Sequence, residues 1–268
     1  MEWSAANLVA CLGARIGVRS NDRQVLRRLA RRLPPHAEVG PWGPANRIYS
    51  VRATGGTPKE HALFRNRTEI MRSRSAEEIV DLLASELNES VARFASDLFV
   101  HAGVVGWRGR AIVVPGLSMS GKSTLVAELI RQGASYYSDE YAVIGEDGQI
   151  IHSYPKPLSM RRPKGKPQHL SAKSLGGKIG RTRLPLGLIV VAKYRSGATW
   201  EPRPLSEAES MMALMANTVM ARARPEMTMQ RLARAVQGAI GLEGRRGDAK
   251  EVAHALIRLA DKLFRRRT

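Results

Sequence analysis

The sequence predicts an α/β protein in two unequal parts, a small α/β region over 1–97 and a larger domain over 98–268, and three observations predict it. Short β-branched apolar runs, such as 111–114 and 188–192, alternate with segments whose apolar residues recur every three or four positions. The run at 111–114 leads directly into Gly116, Leu117, Ser118, Met119, Ser120, Gly121, Lys122 and Ser123, which satisfy G-x-x-x-x-G-K-[ST], and then into helical spacing at Leu125, Val126, Leu129 and Ile130. A long amphipathic stretch from Ile79 to Phe94 lies between the two parts and is expected to bridge them.

In the first part, an extended segment is expected over 8–18, followed by a helix capped at 20–22 with Val25, Leu26, Leu29 and Leu33 inward, stopped by Pro34 and Pro35. A Gly/Pro-rich turn at 40–44 precedes short strands at 47–51, 62–65 and 69–71. Ser75 and Glu78 have the spacing of a capping box ahead of the long helix.

In the second part, 99–107 and 111–114 read as strands joined at Arg108-Gly109-Arg110, and Gly133 stands where the next helix should end. One strand is expected over 136–144, then a tight turn at Glu146-Asp147-Gly148 into 149–152. From 156 to 183 the chain is rich in Lys, Arg, Gly, Pro and Ser, which predicts a long loop, either a lid over a ligand or an unstructured insertion. A central strand at 188–192 follows. Ser206 and Glu209 cap a helix whose Met211, Met212, Leu214, Met215 and Val219 are read as core. A helix at 226–237, an extended piece at 239–242 and a last helix capped by Asp248 and Glu251 complete the chain. The basic residues 265–267 suit a helix C-terminus.

The motif at 116–123 has a direct chemical meaning. Glycines at both ends let successive backbone N–H groups turn toward a polyphosphate, and the following helix aims its positive end at the same anion. Gly116 through Thr124 are therefore the candidate ATP-binding residues, with Lys122 reaching the terminal phosphates and Ser123 offering its hydroxyl to Mg2+.

The net charge of +19 comes mostly from arginines dispersed along the chain. It suits either an acidic partner or a generally basic solvated surface. Aromatic residues make up 5%, leaving few platforms for single-stranded nucleic acid, and no apolar run approaches a membrane span. Cys11 is alone, which excludes an internal disulfide and suits a reducing cytoplasm. Its Leu-Val-Ala-Cys setting has the look of a lipidation box, but the preceding segment is short, lacks a basic residue and contains Glu2, so Cys11 is read as a buried strand residue.

Phosphate transfer also requires a carboxylate and a metal ligand, and Asp139-Glu140 offers both just after the phosphate-loop helix. From His101 to Ile144 the chain resembles the catalytic domain of the HPr kinase/phosphorylases and related bacterial serine kinases. The resemblance rests on His101, Gly116, Ser118, Gly121, Lys122, Ser123, Glu128-Leu129-Ile130, Gly133 and Asp139-Glu140. It implies a mixed sheet with flanking helices of the HPr kinase and phosphoenolpyruvate carboxykinase type. It also implies Asp139 as proton acceptor, Glu140 as a metal or second acidic residue, and His101 supporting the pair. Three positions depart from the family pattern: Ala102 replaces Gly, Glu140 replaces Asp and Thr124 replaces Glu. Arg161 and Arg162 are further candidates to clamp a phosphate.

The expected activity is ATP- and Mg2+-dependent phosphorylation of a serine-type hydroxyl on a peptide or small protein, a ribosomally made peptide included, by a cytoplasmic enzyme whose homo-oligomeric state is open. The alternatives are an ATP-gated binding module with a basic nucleic-acid surface and a small-molecule kinase of related fold.

Overall fold

The computed structural model describes residues 3–56, 58–117, 120–160 and 168–264. Ser118, Met119, Arg161, Arg162 and the basic residues at 265–267 lie outside them. The chain divides into two compact units, Met1–Ser96 and Asp97–Thr268, each a mixture of strands and helices.

The first unit is a six-stranded sheet with helices on one face. Its elements are β1 (Ala5–Cys11), β2 (Ala14–Ser20), α1 (Arg23–Leu29), β3 (Glu38–Pro41), β4 (Arg47–Ala53), β5 (His61–Arg65), β6 (Thr68–Ser73) and α2 (Ala76–Phe94), with strand order β3-β1-β2-β4-β5-β6. The single extended segment expected over 8–18 is a hairpin, because Leu12 and Gly13 both take positive φ, 48° and 85°, in a two-residue turn. α1 starts at the Asp22 cap, whose carboxylate accepts from Gln24 N. α2 packs on β2, β5, β6 and α1, so the helix expected to bridge the two parts belongs to the first sheet. Its Ser75 cap accepts from Glu78 N, while the Glu78 carboxylate accepts from Ser73 rather than closing the expected capping box. Buried Cys11 donates to Pro35 O at 3.2 Å from its place on β1.

The second unit is built on a sheet of order β11-β10-β7-β8-β14-β16-β15, with β9 also pairing β7 and β11 also pairing β14. Its strands are β7 (Leu98–Trp107), β8 (Arg110–Pro115), β9 (Ser135–Ser138), β10 (Tyr141–Ile144), β11 (Ile150–His152), β14 (Leu184–Tyr194), β15 (Arg203–Leu205) and β16 (Ile240–Arg246). β8, β14 and β16 run parallel, and the other pairs in this sheet are antiparallel. On one face α3 (Lys122–Arg131) and α6 (Ala249–Leu263) bury Leu125, Leu129, Val252 and Leu256 against Ile112, Leu188 and Val190. The other face packs Val100, Val113 and Ile189 against Leu214 of α4 (Glu207–Met215) and Leu232 of α5 (Pro225–Val236).

Three expectations change here. The segment over 156–183 is more than a loop: β12 (Leu158–Met160) pairs with β13 (Gln168–Leu170), and a 3-10 turn at Lys173–Leu175 buries Leu175. Sequence periodicity cannot show strands of three residues in a polar segment. Among the α4 methionines, Met211 and Met215 pack on the core, but Met212 is 58% exposed, and Val219 lies beyond the helix. The strand expected over 136–144 is interrupted in its middle, at Asp139-Glu140. Among the described residues no helix is long and apolar enough to cross a membrane.

Candidate active site

The site begins where β8 ends. Pro115 closes the strand, and Gly116 N donates to His101 O on β7 at 3.0 Å, fixing the start of the loop to the neighbouring strand. A Cβ on Gly116 would stand 2.7 Å from Ser120 Oγ and 3.3 Å from Ser120 Cβ, so a side chain there would crowd Ser120. Gly121 takes φ 82° and serves as N-cap of α3, which leaves the first amides of the helix pointing into the loop.

Lys122 is the first helical residue. Its side chain is buried and its Nζ donates to Leu117 O at 2.7 Å. Burial pulls the ammonium below the ordinary lysine range, and Asp139 and Glu140 offset part of that shift. Leu117 itself is 62% exposed, and Thr124 is also exposed. Ser120 Oγ is buried with no hydrogen-bond partner among the described residues, unusual for a hydroxyl and suited to receiving an anionic ligand.

The carboxylates arrive from the interrupted strand. β9 and β10 both pair with β7, and the register is unchanged from Ser138 opposite Val104 to Tyr141 opposite His101. Between them Ser138 Oγ accepts from Glu140 N at 3.2 Å and Tyr141 N at 3.0 Å, so a side chain takes up amides that a strand would hold in its ladder. Glu140 O still accepts from Ala102 N at 3.1 Å. Opposite the break, Gly103 lets α3 approach, since a Cβ there would run into Val126.

Asp139 is buried and accepts three hydrogen bonds: from Ser123 Oγ at 3.0 Å, from Ser159 N at 3.1 Å and from the Tyr136 hydroxyl at 3.2 Å. Burial pushes its carboxyl above the usual carboxylate range, and those three donors pull it partly back. Tyr136, buried beside this carboxylate, is itself held protonated far above the ordinary tyrosine value, chiefly by burial and then by Asp139. Its hydroxyl also lies 2.6 Å from Lys156 O. Glu140 is half-buried and ion-paired with Lys156.

The structure thus brings Lys122, Ser123, Asp139 and Glu140 into one neighbourhood. His101 joins through its backbone, one residue from the Ala102 amide that Glu140 O receives, and its ring meets the Tyr141 ring at 4.9 Å. Four contributors carry no sequence signal. Tyr136 looks like core, Lys156 and Ser159 fall in a polar segment, and Arg246 is one more arginine in a basic stretch. Arg246, 3% exposed at the end of β16, donates from Nη2 to Gly121 O at 2.9 Å and stacks on the Tyr194 ring at 5.4 Å. Burial lowers its guanidinium from the ordinary arginine value, with Tyr194 and Asp248 opposing. Nothing local marks it, because its contact lies 125 residues away along the chain.

The residues fit a nucleotide with Mg2+. Among the described residues, the polar groups facing the loop include an ammonium, the unbonded Ser120 hydroxyl and the first amides of a helix. The Ser123 hydroxyl and the Glu140 carboxylate are hard oxygen donors of the kind Mg2+ takes alongside phosphate and water, and Ser123 is also bonded to the second carboxylate, Asp139.

No protein-family model matches the chain, and no curated protein matches it. Among solved structures it is similar to the HPr(Ser) kinase/phosphatase from Coxiella burnetii, at 15% identity and a TM-score of 0.33, over 62% of this chain and 92% of that one. A likeness so loose leaves the function to the chemistry of the site.

Proposed function

We propose that this chain is an ATP- and Mg2+-dependent kinase that transfers a phosphoryl group to a serine-type hydroxyl of a peptide or small protein. The observation that carries this reading is the hydrogen bond from Ser123 to Asp139, 3.0 Å long, which joins the helix after the phosphate loop to a buried carboxylate. A buried carboxylate bonded to the hydroxyl after the phosphate loop is what Mg2+-dependent phosphoryl chemistry uses, to steady the metal or to receive a proton; that the proton comes from an acceptor hydroxyl and not from water is the step proposed here.

In this reading Gly116 through Thr124 cradle the triphosphate, and Lys122 exchanges its bond to Leu117 O for the terminal phosphates. Ser123 and Glu140 hold Mg2+, which when bound neutralises developing charge on the phosphate oxygens. Asp139, its carboxyl already raised by burial, accepts the acceptor's hydroxyl proton. The new O–P bond forms to the acceptor oxygen while the bond to the departing ADP breaks. His101 supports the acidic pair through its strand.

The test is transfer from γ-labelled ATP to serine-containing peptides, with Lys122→Ala beside the wild type. Labelled phosphoserine with the wild type and none with the variant is the expected result. Label released only as inorganic phosphate, at a rate indifferent to peptide, would replace the kinase with an ATPase.

A further inference from the structure

The helices of the first unit cover one face of its sheet. Tyr49 points to that side, where its hydroxyl meets Glu86 Oε2 of α2 at 2.7 Å, and so does Ile16, its near neighbour across β2 and β4. Side chains alternate along strands, so Arg15, Gly17 and Arg19 of β2, Ser50 and Arg52 of β4 and Phe64 of β5 project from the opposite face.

That face carries a continuous ladder of rings and guanidinium groups. The Arg19 guanidinium lies 5.8 Å from the Trp42 ring and 4.4 Å from the Trp3 ring, while Arg52 lies 5.6 Å from Trp3 and 5.3 Å from Phe64. Gly17 makes room for it: a Cβ there would stand 2.9 Å from the Trp42 ring. Arg19 Nε is held by Ser50 Oγ at 2.9 Å, which fixes the orientation of the stack.

Three arginines on this face have no carboxylate partner. The register places Glu38 of β3 and Glu69 of β6 on the same face, at its two edges, with Glu69 paired to Arg72, and among the described residues no carboxylate forms an ion pair with Arg15, Arg19 or Arg52. On the helix side the pattern is reversed, with Arg65 bonded to Glu86 and Arg32 to Glu77 and Asp81. A guanidinium stacked on an aromatic ring keeps its N–H edge free for a carboxylate. The same stacking covers the ring faces that a nucleobase would need.

We propose that this arginine–aromatic face docks an acidic peptide segment, that of the phosphate acceptor. It rests on the kinase reading only in naming the acceptor; the docking itself stands on the charge and geometry of the face.

The test uses the full chain and a fluorescein-labelled glutamate-rich peptide, with its glutamine counterpart and a single-stranded oligothymidylate of matched charge as comparisons. Binding is read by anisotropy and by the intrinsic fluorescence of Trp3 and Trp42. The acidic peptide should bind and its glutamine counterpart should not. Arg19→Gln combined with Arg52→Gln should weaken the acidic peptide by at least about tenfold, since each position loses a charge-assisted hydrogen bond. ATP affinity should be unchanged, and Arg27→Gln with Arg31→Gln on the α1 side should have little effect. Gly17→Val, which displaces Trp42 while keeping every charge, should weaken the peptide as well. Equal affinity in wild type and the Arg19/Arg52 variant, tighter binding of the oligonucleotide, or a loss of self-association in that variant would each overturn the proposal. Peptide binding that survives when no phosphoserine forms in the transfer assay would overturn the kinase reading and leave the docking face intact.

Discussion

The Ser123 hydroxyl donates to Asp139 Oδ2 at 3.0 Å, joining the first turn of α3 to the break between β9 and β10. If Asp139 receives the proton of the acceptor, Asp139→Asn removes the base and little else. Phosphotransfer should fall by about two to four orders of magnitude while ATP affinity hardly changes. The wild-type rate should climb with pH through a carboxyl value raised above the ordinary aspartate one, and the variant should lose that limb. Burial raises the folded-state value, so Asp139 favours the folded state below its unfolded value of 3.8, and that contribution is lost as pH rises through the raised value. In urea unfolding across this range, Asn should therefore gain on Asp as pH rises. A variant that transfers phosphate at the wild-type rate would remove the base from this position.

Glu140 and Lys156 form an ion pair whose side chains are 37% and 28% exposed. Such a pair contributes about 1 kcal/mol or less, so Glu140→Gln should leave stability nearly unchanged. Its effect should instead be a raised Mg2+ requirement in single-turnover transfer. Should Asp139→Asn raise that requirement while Glu140→Gln does not, the two carboxylates exchange roles.

Arg246 contacts the phosphate loop from the end of β16, with β14 between that strand and β8. Arg246→Leu removes the charged donor to Gly121 O, which keeps its bond from Leu125 N at 3.3 Å, and should lower stability by about 1–3 kcal/mol, with weaker ATP binding. Arg246→Lys keeps the charge but not the fork, and should recover only part of either loss. Chemical denaturation and nucleotide titration measure the two effects, and full ATP affinity in the leucine variant would separate Arg246 from the loop.

Gly103 sets the distance between β7 and α3. Gly103→Ala should cost about 1–3 kcal/mol by overpacking against Val126 and should weaken ATP binding, because Val126 and Lys122 share one helix. Unchanged urea midpoint and ATP affinity would show that α3 yields freely.

Local patterns were enough to find much of the fold. Val113 and Val114 read as strand because their neighbours are apolar and β-branched, and Leu125 and Leu129 read as one helix face because they lie four residues apart. Asp22, Ser75, Ser206 and Asp248 could be read as caps because a cap bonds within its own turn. The Leu12-Gly13 turn was missed because Leu is rare at positive φ. The strands of 158–160 and 168–170 were missed because three residues show no period.

By itself the sequence determined the α/β character, the phosphate-loop motif and the presence of two carboxylates after its helix, all of which depend on residues close together in the chain. The tertiary structure alone decided that Asp139 meets Ser123 and Tyr136, that Ser159 and Lys156 close over the acidic pair, and that Arg246 reaches Gly121. It also decided that Arg19 and Arg52 share a face with Trp3. These contacts depend on strand order and register, and those follow from burying both faces of one sheet and one face of the other, a constraint on the whole chain that no single stretch contains.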